Sequence, residues 1–160
     1  MKANQFVKDV NQEFGFKLLK LKSNNDKMYE IKVANKFKET DIMKIVDGLL
    51  ERSEMCKKEN IKFNILLSLY GLMIKTFTDI EFSKYPNLKK EYLVEISVLE
   101  SLIDLGVYEQ LISSFDKNEI KKVEEIFSKY AKSIKLINNN IIAQNILEDD
   151  NNDESTDKEL

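Results

Sequence analysis

From Thr40 to Ile137 the apolar residues of this 160-residue chain recur three and four positions apart, and that period restricts the fold more than any other feature. Ile42, Ile45, Val46, Leu49 and Leu50 share one face of a helix that Thr40 can cap and that should run to about Lys58. Residues 61–82 are apolar nearly all round, which marks a helix at the centre of a core. Pro86 suits the first turn of the next helix, whose stripe runs through Leu88, Tyr92, Ile96, Leu99 and Ile103 to Gly106. Residues 107–115 read as a short helix. Asp116 with Glu119 fits a capping box that opens a last helix through Ile120, Val123, Phe127, Tyr130 and Ile134. Four glycines and one proline are too few for long irregular loops or a many-turned β architecture.

Ahead of Thr40 the pattern differs. Residues 3–13 predict a short helix with Phe6, Val10 and either Phe14 or Val7 on its inner stripe, ended by Gly15. Residues 16–22 and 28–34 flank the polar run Ser23-Asn24-Asn25-Asp26-Lys27, and Tyr29, Ile31 and Val33 alternate with polar neighbours. Two such runs around an Asn/Asp-rich turn predict a β-hairpin. The expected fold is therefore mainly α: a short N-terminal helix plus β-hairpin, a four- to five-helix antiparallel bundle, and a disordered acidic C-terminal tail. The expected regions are 1–38 (α-β-β element), 39–147 (helical bundle) and 148–160 (tail).

The chemistry open to such a chain is narrow. It has no histidine and a single cysteine, Cys56. Histidine is the side chain that titrates near neutral pH and the commonest metal ligand, so Ser-His and Cys-His nucleophiles and His-ligated metal sites are excluded. Glu91/Glu95 and Glu100/Asp104 lie four apart on a helix face, but di-metal bundles need Glu-x-x-His motifs, and these pairs read as solvated faces. Asp149, Asn151 and Asp153 begin like a calcium loop, but Glu154 stands where glycine is required. No glycine-rich phosphate loop can be written with Gly15, Gly48, Gly71 and Gly106. Cys56 reads as a small buried hydrophobe. The expectation is no catalytic residue, no metal and no cofactor.

Charge bears on partners. Residues 148–160 hold seven acids and one lysine, so the net charge of −3 leaves the remainder of the chain at +3. The tail reads as a solubilising end, or as a segment that covers a basic surface or meets a basic partner. There are 24 lysines but one arginine, Arg52, a bias typical of an AT-rich genome. One arginine argues against base-specific nucleic-acid reading. Lysines of the last helix are diluted by Glu119, Glu124 and Glu125, which makes nucleic acid an unfavoured partner. Lys62, Asn64, Lys75 and Asp79 interrupt the most apolar stretch, so no membrane span is expected, and the first residues lack the apolar region of a signal peptide. A reducing, cytoplasmic setting is expected.

The segments KFKETDIMKIVDGLLE (36–51), LMIKTFTDIEF (72–82), LESLIDLGVYEQLISSF (99–115) and DKNEIKKVEEIFSKYAKSI (116–134) resemble, in their order, small helical proteins of Gram-positive tailed phages encoded among head and tail genes. Over roughly residues 36–137 the resemblance implies a non-enzymatic tail assembly chaperone or adaptor working in the host cytoplasm. Its partner would be a phage tail or head component. The alternatives are a phage-encoded inhibitor or regulator of a host protein, acting in counter-defence, and a weak nucleic-acid binder through the lysine-rich helix. Phe37, Phe82 and Tyr85 sit in predicted loops and are the candidate exposed anchors for a protein partner; otherwise they cap the core from its ends.

Overall fold

The computed structural model describes residues 3–130. The chain runs α1 (Ala3–Glu13), β1 (Phe16–Lys22), β2 (Met28–Ala34), α2 (Glu39–Lys58), α3 (Ile65–Phe77), α4 (Leu88–Asp104) and α5 (Tyr108–Ser114). A further helix, α6, begins at residue 117 and is described to 130. The mainly helical class, the short first helix and the hairpin are as the sequence patterns require. The expected tail at 148–160, and residues 131–147 of the expected bundle, lie outside the described residues. The chain to Val123 forms one compact unit, so residue 38 marks a change of element type within it. Of the second unit, from Glu124 on, residues 124–130 are described and are helical.

The hairpin pairs antiparallel from Phe16↔Ala34 to Lys22↔Met28. Alternation sends Leu21, Ile31 and Val33 inward, while Phe16, Leu18, Lys20, Lys22, Met28, Glu30 and Lys32 all face out. The helical core is built from Ile42, Ile45 and Val46 of α2, Met73, Ile74 and Phe77 of α3, and Leu99 of α4, each essentially inaccessible. At Gly71 the backbone of α3 runs so close to α4 that a Cβ there would lie 2.7 Å from Leu99 Cδ1. The hairpin turn is tied to the end of α4. The Asn24 N–H donates to Leu105 O (2.9 Å), and its side-chain amide donates to Asp104 O (3.1 Å). The next residue, Gly106, has φ +71°, and the Asn24 side chain occupies the space a Cβ would need.

Four helix ends differ from the sequence reading. α2 begins at Glu39, one residue before the expected Thr40 cap, and Lys38 precedes it without a side-chain capping bond. α3 is shorter than 61–82. Asn64 caps it through Oδ1 and the Leu67 N–H (3.0 Å), and Thr78 leaves helical geometry to bridge Val33. Asp79 there takes the Lys32 N–H on its carboxylate (2.8 Å) and donates its own N–H to Lys32 O (3.2 Å). A helical turn at 78–82 would forfeit that cover on β2. α4 begins after Pro86 at Leu88, capped by Asn87.

α1 departs from the sequence reading in another way. The helix forms over residues 3–13, but its stripe faces solvent: Phe6 is 58 % exposed and Val7 61 %. No helix or strand among the described residues packs extensively against it.

Candidate interaction surface

The buried ionisable groups come first, because they are where chemistry would be expected. The lone arginine, Arg52 on α2, donates Nη2 to Glu95 Oε1 (2.7 Å) and Nε to Glu95 Oε2 (2.9 Å), a bidentate pair with both side chains buried. Arg52 Nη1 also donates to Gly48 O (3.1 Å). Lys75 of α3 joins the pair, donating to Glu95 Oε1 (2.9 Å) and Glu91 Oε1 (2.6 Å). Burial alone would raise the Glu95 carboxyl, but the bonds from Arg52 and Lys75 outweigh it and hold the group below its ordinary value. Burial alone would likewise lower Lys75, and its two carboxylate partners keep it raised. Glu91 and Glu95 are therefore no solvated face. They lock α2, α3 and α4 together, and each charge in the cluster is already matched. Spacing on α4 could not reveal this, since the partners lie 43 and 20 residues away.

A second buried cluster holds the link between hairpin and α2. Glu119 accepts the Phe37 N–H (2.7 Å) and the Lys122 ammonium (2.8 Å), and Lys122 donates to Phe37 O (3.0 Å). Both polar groups of the Phe37 backbone are thus satisfied. The expected capping box is half made: Asp116 Oδ1 accepts the Glu119 N–H (3.4 Å) as well as the Asn118 N–H (2.8 Å), but the Glu119 side chain is spent on Phe37 instead of reaching back.

These contacts correct the candidate anchors. Phe37 is fully buried, stacked on Phe77 with ring centroids 3.7 Å apart and edge-on to Phe115 at 5.5 Å. Phe82 is buried as well. Neither is an exposed anchor, because each fills the core from a loop that packing folds inward. Tyr85 is half-buried, its ring beneath the Lys90 ammonium at 4.5 Å. The structure does not bring the three together as one surface. Cys56 is buried, and that burial pushes its thiol up despite a bond with Tyr92.

An open depression of ≈ 460 Å³ is lined by the loop after α3, from Thr78 to Phe82, with Lys75 and Lys84. Lys75 and Asp79 in its wall are committed to Glu91, Glu95 and Lys32. No group of three or more His, Cys, Asp or Glu among the described residues is placed to hold a metal ion. No helix among them is long and apolar enough to cross a membrane.

Uncovered apolar side chains lie on α2, α3 and α4, at Met43, Ile65, Leu66, Leu93 and Ile103, and on the hairpin and α1. Phe16, Leu18 and Met28 stand on the outer face of the hairpin at 61 %, 64 % and 56 % exposure, interleaved with Lys20, Lys22 and Lys32. Phe6, Val7 and Val10 of α1 precede them in the chain. Over residues 15–38 there are seven lysines and two acids, Asp26 and Glu30. The hairpin region is thus basic and carries exposed apolar side chains on the same face. The alternation in Phe16-Lys17-Leu18 carried the signal for this outer face; the adjacent Leu18 and Leu19 masked it.

A family model described as YomO matches residues 7–159. No curated protein and no solved structure matches the chain.

Proposed function

This chain belongs to the YomO family, whose name is that of a protein from a Bacillus phage or prophage region, and from this phage association we propose that it is a non-enzymatic protein-binding factor, an assembly chaperone or adaptor in the building of a phage tail or head. The observation that carries the reading is the contrast between inside and outside. The buried charged side chains among the described residues, Arg52, Glu95 and Glu119, are matched by partners and serve as scaffold. Of the eleven large apolar side chains exposed among the described residues, six lie on α1 and the hairpin, where a partner would remove them from water. Burying each at about 25 cal/mol per Å² is the ordinary source of association energy, and it asks nothing of proton transfer or metal chemistry.

The test is to express the tagged chain from its native genome during phage development, isolate it gently and identify its companions by mass spectrometry. Tail or head components as stoichiometric companions support the assembly role. A host nuclease or polymerase as the companion would replace it with the inhibitor reading. Turnover of a substrate by the purified chain, with no companion recovered, would overturn both.

A further inference from the structure

We infer that the outward edge of β1, from Phe16 to Lys20, docks an extended acidic segment of a partner protein by strand addition. This deepens the protein-binding reading and rests on it. In an antiparallel pair, residues alternate between those whose N–H and C=O point at the neighbouring strand and those whose groups point away. Lys32 points away on the β2 side, since Asp79 takes both its groups. Its cross-strand partner Leu18 must then point away on the β1 side, and so must Phe16 and Lys20, each two residues on. Lys22, in the same phase, confirms the direction. Its N–H donates to Gln110 Oε1 (3.1 Å) and its C=O accepts from Gln110 Nε2 (2.8 Å). One side-chain amide thus imitates a neighbouring strand at one end of this edge. Beyond it, the outward groups of Leu18 and Lys20 have no hydrogen-bond partner among the described residues. β2 has cover from Asp79, so the two edges are not equivalent.

The chemistry of the occupant follows from the side chains. An added strand would lay alternate residues beside Phe16, Leu18 and Lys20 on the outer face, which calls for apolar residues and carboxylates. A second copy of the chain is the wrong occupant. Antiparallel pairing of two β1 edges would bring Lys20 and Lys22 of one copy near those of the other, and edge lysines are a common guard against self-pairing. Nucleic acid is a poorer fit as well. Of the apolar side chains on this face only Phe16 has an aromatic ring for base stacking, and no arginine stands there.

The experiment uses the full chain and a fluorescent peptide of roughly seven residues in which every second residue is threonine and the others run glutamate, glutamate, valine, valine, so that antiparallel addition sets the valines beside Leu18 and Phe16 and a glutamate beside Lys20. Controls are an isomer of the same composition in scrambled order, the analogue with lysine in place of glutamate, and a single-stranded oligothymidine. The acidic peptide should bind at least about tenfold more tightly than its isomer. It should slow hydrogen exchange at the amides of Leu18 and Lys20. Leu18→Pro removes an outward N–H and spares the hairpin ladder, so it should fold and lose about tenfold or more in binding. Lys20→Glu with Lys32→Glu keeps the edge and should also weaken binding. If Leu18→Pro does not fold, that charge-reversed variant and the two amides decide. Equal binding by the isomer, or undiminished binding by folded Leu18→Pro, overturns the proposal. So does tighter binding of the oligothymidine, or a concentration-dependent dimer of the free protein that Leu18→Pro abolishes. Should the peptide fail while phage components still accompany the Leu18→Pro chain from cells, the docking edge is wrong and the protein-binding reading stands.

Discussion

Removing Glu95 should cost more than removing Arg52, although the two form one pair. In Glu95→Leu, Arg52 keeps only the Gly48 carbonyl at 3.1 Å as a hydrogen-bond partner, and a buried guanidinium is left without a bonded carboxylate. Breaking a buried pair from one side costs about 3–5 kcal/mol. In Arg52→Met, Glu95 still holds Lys75 at 2.9 Å, so the loss should be nearer about 2 kcal/mol, the scale of a charged hydrogen bond. The double variant leaves no orphan: Lys75 keeps Glu91 at 2.6 Å, and two apolar side chains of similar volume occupy the site. Such replacements are often neutral or stabilising. The two single costs should therefore exceed the double cost by about 2 kcal/mol or more. Urea unfolding at neutral pH measures all four corners of the cycle. In a chain of this size Glu95→Leu should also lower Tm by about 6 °C or more. Costs that add to within about 0.5 kcal/mol would refute the reasoning, since independent sites add and a shared pair does not.

Phe37→Ala should cost about 3–5 kcal/mol, because the ring is enclosed by Phe77 and Phe115, whereas Leu18→Ala on the outer face should stay within about 0.5 kcal/mol; chemical denaturation compares them. The Glu95 carboxyl lies below its ordinary value in the folded chain, so its contribution is complete above the unfolded value of about 4.3 and is lost as pH falls through the lowered folded one. Glu95→Gln should accordingly be less stable at neutral pH and show a shallower fall in stability on acidification, read from denaturation midpoints across an acid series. Gly106→Ala should cost about 1–3 kcal/mol, because φ is +71° and the Asn24 side chain fills the space, and thermal unfolding would register it.

The element types were legible because each depends on neighbours within a turn or two. Tyr29, Ile31 and Val33 alternate, and their strand alternates. Ile42, Ile45, Val46 and Leu49 recur at helical spacing, and all four are buried on α2. The candidate surface was less legible. Apolar residues at loop positions 37 and 82 looked available, yet the chain turns both inward. Apolar residues at 6, 7 and 10 looked destined for the core, yet nothing among the described elements packs extensively against them. An apolar stripe states that a face is fit for burial. Whether that burial is within the chain or against a partner depends on where the helix is carried by the residues that follow it.

Hydropathy period, turn chemistry and the lack of histidine were enough to establish a helical chain with a hairpin near its start and no imidazole chemistry, because each is a property of local spacing or of composition. The union of Arg52 with Glu95, the clamp of Glu119 and Lys122 on Phe37, the early exit from α3 at Thr78 and the outward edge of β1 arise from residues brought together across tens of positions. Such contacts are won by the arrangement that satisfies the most buried polar groups at once, and that is a property of the whole packed unit and of no single stretch within it.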